Sequence, residues 1–200
     1  MTRTQWASVT AVVLALLFAG AATVASAGPE PGQVAPVADS ADAGFARDMS
    51  VHHQQAVEMS FIARDRTKDE EVRRLAYDIA NTQANQRGMM LGWLDMWGLP
   101  KVAPGVEPMA WMGMPSHGAM PGMASPEDLD RLRAASGRQA EVLYLRLMTE
   151  HHRGGVHMAQ GCVDRCRPGV ERDLAQGMVD AQESEIRLMA DLLKARGAKP

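Results

Sequence analysis

The sequence matches itself at a constant offset of 99 residues. Met49, His52, His53, Val57 and Met59 fall on Met148, His151, His152, Val156 and Met158. The register continues without a gap through Asp65-Arg66 on Asp164-Arg165, Arg73 on Arg172, Leu75-Ala76 on Leu174-Ala175, Gln83 on Gln182, Met90 on Met189, Leu94 on Leu193 and Gly98 on Gly197. With Arg47 on Arg146 this makes about 15 identities in 54 positions, where unrelated sequence of ordinary composition gives roughly one in fifteen. A tandem duplication is expected, and whatever one half folds into, the other must also fold into.

Each half reads as two helices. Phe45, Met49, His52, Ala56, Met59 and Ala63 recur at spacings of three and four, the period of one helix face, and predict a helix over about 41–66. Thr67 with Glu70 reads as a capping box opening a second helix, whose stripe of Val72, Leu75, Ile79, Thr82, Gln86, Met89 and Trp93 runs to a stop at Gly98-Leu99-Pro100. In the second half, Ser125-Pro126-Glu127-Asp128 opens a short helix to about 136, and a long helix follows over about 138–166. Pro168-Gly169 breaks the chain before a last helix over about 170–196. No stretch alternates as a strand does. The expected fold class is all-α: a four-helix bundle of two duplicated hairpins, with a short extra helix.

The amino terminus predicts the compartment. Arg3, an apolar run from Ala11 to Ala22 and the small residues Ala25-Ser26-Ala27 read as a secretory signal peptide over 1–27, with an uncleaved anchor as the alternative. Residues 28–40 form a Pro- and Gly-rich lead-in, and 41–198 the bundle, divided into hairpin one (41–98), a Met-rich loop (99–124), and the short helix with hairpin two (125–197). After cleavage no membrane span is expected. A formal charge of −3 offers no basic excess to neutralise phosphates, which argues against nucleic-acid binding.

Chemistry concentrates in the repeated element. Met49, His52, His53 and Met59 share a helix face, and Met148, His151, His152 and Met158 repeat the set. Neutral imidazole ligates transition metals generally and thioether is a soft ligand favouring Cu(I), so this mixture points to copper, at one shared site or two related ones. The plainer alternative is that these His and Met residues only pack. The acidic faces at 69–71 and at Glu183 and Glu185 read as solvated helix surface; alternatively Gln83, Gln86, Gln182 or Glu185 turns inward to orient the imidazoles.

A second candidate set lies in and near the loop. The segment MAWMGMPSHGAMPGM carries Met112, Met114, His117, Met120 and Met123 among Gly and Pro that forbid a stable helix, on a chain with 15 Met in all. These residues, with His157, Cys162 and Cys166, form a possible secondary soft-metal set; the alternative is a loop folded back over the bundle. The two cysteines stand one helical turn apart and read as soft-metal ligands, a local disulfide or unpaired buried thiols. No Ser-His-Asp order, phosphate loop or zinc-protease motif occurs, and neither Glu58 nor Glu150 is followed by His at i+3, as a di-iron bundle requires.

The segments FARDMSVHHQQAVEM and LMTEHHRGGVHMA, the Leu-Ala and Gln pattern before Met90 and Met189, and the Gly-Met loop together resemble the bacterial domain of unknown function 305 family, over about residues 42–196. The resemblance implies a ferritin-like four-helix bundle that is exported or membrane-associated, with some members linked to copper binding and tolerance. Its recurring motif maps onto Met49, His52, His53, Met59, Met148, His151, His152 and Met158. Gln86 departs from it, standing where the family commonly has the Glu that Glu185 keeps, and the Cys162/Cys166 pair lies outside the pattern. The reading is an exported bundle that sequesters or delivers copper, chiefly Cu(I), in exchange with a copper-donating or copper-accepting envelope protein, and with a homodimer open. A metal-free structural bundle and a metal-dependent redox enzyme are the competing classes.

Overall fold

The computed structural model describes residues 35–200, and the signal-peptide reading and most of the lead-in lie outside them. The chain forms α1 (Ala41–Arg66), α2 (Glu70–Met96), a 3-10 turn (Ala110–Met112), α3 (Pro126–Ala134), α4 (Gly137–Arg165) and α5 (Val170–Ala195). Among the described residues there is no strand. Helices α1 and α2 pack as one hairpin, α4 and α5 as the other, and α1 against α4 joins them into a four-helix bundle.

The helix ends follow from local chemistry. Ser40 caps α1 by accepting from the Ala43 N–H, and Ser125 with Asp128 makes a reciprocal capping box on α3, with Pro126 opening the helix. At α2 the expectation of a Thr67–Glu70 box is corrected: Asp69 is the cap, accepting from the Val72 N–H. Thr67 instead ends α1, and its hydroxyl accepts from the Asp69 N–H while donating to Glu141 at 2.6 Å. The Thr67 hydroxyl thus serves the Asp69 N–H and buried Glu141 together, one turn before the helix that Asp69 caps. Both hairpins finish alike: Gly98 and Gly197 adopt positive φ, and the next residues bond back to Leu94 and Leu193.

Buried Arg196 ties the hairpins together at one end. It donates to Glu141 at 2.7 Å, pairs with Asp69 at 2.7 Å and bonds the Leu192 carbonyl at 3.0 Å. The apolar interior falls into two clusters. One holds Phe45, Met49, Met90, Leu94, Met158 and Met178; the other holds Met59, Ile79, Tyr144, Met148, Met189 and Leu193. Each cluster thus takes one methionine from the His-His segment of α1 and one from that of α4.

The long connection is folded back onto the bundle. Met109, Met112 and Met120 are buried in the first cluster and Met123 packs against it. Two glycines make the fit possible: a Cβ on Gly154 would lie 1.9 Å from the Pro121 carbonyl oxygen, and one on Gly161 would strike the Met112 side chain at 2.4 Å. Among the described residues no helix is long and apolar enough to cross a membrane.

Candidate metal centre

Helices α1 and α4 bring His52, His53, His151 and His152 together in the interior, where none has solvent-accessible surface. The His52 and His151 rings lie against one another with centroids 3.8 Å apart. Each of the four uses its Nε2 in a hydrogen bond: His52 with the Pro121 carbonyl at 3.1 Å, His151 with the His52 carbonyl at 3.1 Å, His53 with Gln86 Oε1 at 2.8 Å and His152 with Glu185 Oε2 at 2.7 Å. Every one of those oxygens is an acceptor, so every Nε2 must carry the proton. In a neutral ring so held the tautomer is set, and Nδ1 is the nitrogen left as a bare lone pair.

All four Nδ1 atoms are buried without a protein hydrogen-bond partner. An unmet buried acceptor costs about 1–3 kcal/mol, and four in one layer demand a reason. Burial pushes His52 down to about 4, opposed by its Pro121 hydrogen bond and reinforced by His152. Burial likewise lowers His53 to about 3 and drives His151 well below its ordinary value, with neighbouring imidazoles adding to each shift. At neutral pH these three rings are uncharged, the form in which imidazole ligates metal.

The inward reading of Gln86 and Glu185 is the correct one, and the solvated-surface reading of Glu185 is not. Each partner stands 33 residues beyond its histidine. Gln83 and Gln182 also reach inward, with buried Oε1 atoms lacking a protein partner. By contrast Glu58 pairs with Arg133 and Glu150 with Arg153 on the surface. The loop carbonyl on His52, the Gln55 side chain that both donates to and accepts from Ala124 (2.9 and 2.7 Å), and the Gly154–Gly155 pair escaped sequence reasoning. The glycines were the available signal, since Gly costs about 1 kcal/mol inside a helix and needs a reason there.

Met49, Met59, Met148 and Met158 are fully buried on either side of this layer, two in each apolar cluster. Among the described residues no group of three or more His, Cys, Asp and Glu side chains is arranged to hold a metal, the four imidazoles included. What the interior does hold is four buried imidazole Nδ1 atoms without protein partners, with the methionines of the same helix segments in the two apolar clusters.

The secondary set does not come together as one site. Cys162 and Cys166 are joined as a disulfide, which removes both as thiolate ligands. Met112 and Met120 are buried in core packing and Met123 leans on the same cluster, because apolar thioethers are worth more against the bundle than in water. His117 is exposed on the loop. Met114 and His157 line one surface pocket with Met109.

The family's sequence profile, the domain of unknown function DUF305, matches residues 42–193. The chain belongs to the DUF305 family. A DUF305 crystal structure from Streptomyces coelicolor is 73% identical, with TM-score 0.78, over 82% of this chain and 98% of that one. A DUF305 fragment from Deinococcus radiodurans is 35% identical, with TM-score 0.65, over 78% and 96%. CopM in its Cu(I)-bound form is 25% identical, with TM-score 0.57, over 77% and 96%, and CopM structures with Cu(II) and silver are also similar. Among curated proteins none matches the sequence.

Proposed function

We propose that this DUF305 protein binds Cu(I) within the imidazole layer and sequesters or delivers it outside the cytoplasm. The observation that carries the reading is the set of four buried, unpartnered Nδ1 atoms on His52, His53, His151 and His152. Their Nε2 atoms face carbonyl, amide and carboxylate oxygens, which is how proteins orient imidazole toward a metal. The methionines of the same segments, Met49, Met59, Met148 and Met158, supply soft sulfur and select Cu(I) over zinc or magnesium. Glu185 contributes one carboxylate to balance the incoming positive charge. CopM, similar in fold and sequence, is known in copper- and silver-bound forms, which supports the metal class. Export rests on the signal-like residues 1–27, and a copper-exchanging envelope protein is the partner this role requires.

The test is an anaerobic Cu(I) titration of the purified protein against a competing chromogenic chelator, with helicity followed by circular dichroism. Uptake by the native protein that is lost in the His52→Ala/His151→Ala double variant, with helicity retained, is the expected result. The absence of competition by the native protein would overturn the reading.

A further inference from the structure

The loop carries a left-handed backbone conformation at a residue with a side chain. Met109 has φ 67°, the one positive φ at a non-glycine among the described residues, a conformation that disfavours any residue with a Cβ. It is held there by Asp48, whose carboxylate accepts from the Met109 N–H at 2.7 Å and from the Trp111 indole N–H at 2.9 Å. The 3-10 turn that follows reverses the chain, and the Met112 and Met114 N–H groups both return to the Met109 carbonyl, at 3.0 and 3.3 Å. Met109 and Met114 are thereby brought alongside one another.

The two methionines share a surface pocket with His157 of α4, and Pro121 forms part of its wall. Met109 is buried at the base, Met114 is 47% exposed, and the His157 ring is open to solvent. Pro121 is also the residue whose carbonyl accepts from His52 Nε2. One loop residue therefore separates a pocket with two thioethers and an imidazole from the buried layer. His157 is also unmatched in the first half, where Glu58 stands at the same register, so this pocket belongs to one side of the bundle only.

We propose that Met109, Met114 and His157 form a surface port that takes a soft monovalent ion, Cu(I) or Ag(I), from a donor and passes it beneath Pro121 to the buried imidazoles. The port rests on the reading that the imidazole layer is the destination, and supplies what that layer lacks, a solvent-facing point of first contact. With Met114 and His157 at the surface and Met109 at the base, the set holds Cu(I) without enclosing it, which suits transfer better than storage.

The test is stopped-flow transfer of Cu(I) from a chromogenic chelate to the native protein and to the Met114→Leu/His157→Ala variant, whose changes lie at the surface and preserve apolar volume at 114. The expected result is a transfer rate at least tenfold lower in the variant, with unchanged affinity for the most tightly held copper. Equal rates and equal total uptake in the two proteins would overturn the port while leaving the imidazole site standing. Loss of the tightly held copper itself in the variant would also overturn the port as a relay, since the pocket would then be the store. A native protein that takes no copper would overturn both readings.

Discussion

His151 donates its Nε2 proton to the backbone carbonyl of His52 at 3.1 Å, while the two rings lie 3.8 Å apart between centroids, tilted by 33°. The pairing joins equivalent positions of the two His-His segments, and it leaves Nδ1 of both rings buried and unpartnered. Helix α1 thus contributes a ligand candidate and also the acceptor that orients its counterpart on α4.

Gly154 is what allows the loop to reach His52. A Gly154→Ala variant would place a Cβ 1.9 Å from the Pro121 oxygen and 2.4 Å from its carbon, both rigid backbone atoms. The expected result is a loss of about 1–3 kcal/mol in urea unfolding, together with faster hydrogen exchange in the loop around Pro121.

Glu185 and Gln86 occupy matching places, one charged and one neutral. Glu185→Gln removes the only carboxylate among the described residues that is hydrogen-bonded to the imidazole layer. Chelator competition is expected to show Cu(I) affinity lower by about 10- to 100-fold. Gln86→Glu, adding a second charge beside His53, is expected to raise it.

How far the sequence discloses this arrangement depends on the residue. The helices were legible because apolar residues at three- and four-residue spacing, from Phe45 to Ala63, admit only one period. The candidate ligands were legible because a rare His-His pair recurs in register. Glu185 was ambiguous, since a carboxylate on a helix reads as surface unless its partner is known; its 33-residue separation from His152, matched by Gln86 and His53, becomes meaningful only once the hairpins are closed. Thr67 and Asp69 both fit a helix start, and the partner that draws Thr67 to the end of the first helix, Glu141, lies 74 residues away. The docking of Pro121 on His52 has no local signature beyond Gly154, which leaves room for it.

The metal-free protein is expected to lose stability in acid. In the unfolded chain histidine titrates near 6.5, whereas burial holds folded His52 at about 4 and His53 at about 3. Between those limits the unfolded state binds more protons, so stability is full above about pH 6.5 and falls as pH drops toward 4. The slope is about 1.4 kcal/mol per pH unit for each histidine kept neutral. Thermal melts from pH 7 to pH 4 check it, and a flat profile would show these rings are not buried uncharged.

Arg196 joins α5 to the starts of α2 and α4 through Asp69 and Glu141. Arg196→Ala leaves the Glu141 carboxylate buried with only Thr67 to donate to it. A loss of about 3–5 kcal/mol is expected in chemical denaturation, with copper affinity per folded molecule unchanged because the imidazole layer is remote from this end.

The central claim is that buried Nδ1 atoms receive the metal, and imidazole nitrogen NMR of the protein labelled with 15N-histidine, before and after one equivalent of Cu(I), tests it most directly. The account predicts that Nδ1 resonances of the buried histidines, His52 and His151 among them, shift on loading while their Nε2 atoms stay protonated. A spectrum in which copper is bound but only the exposed His117 and His157 respond would contradict it.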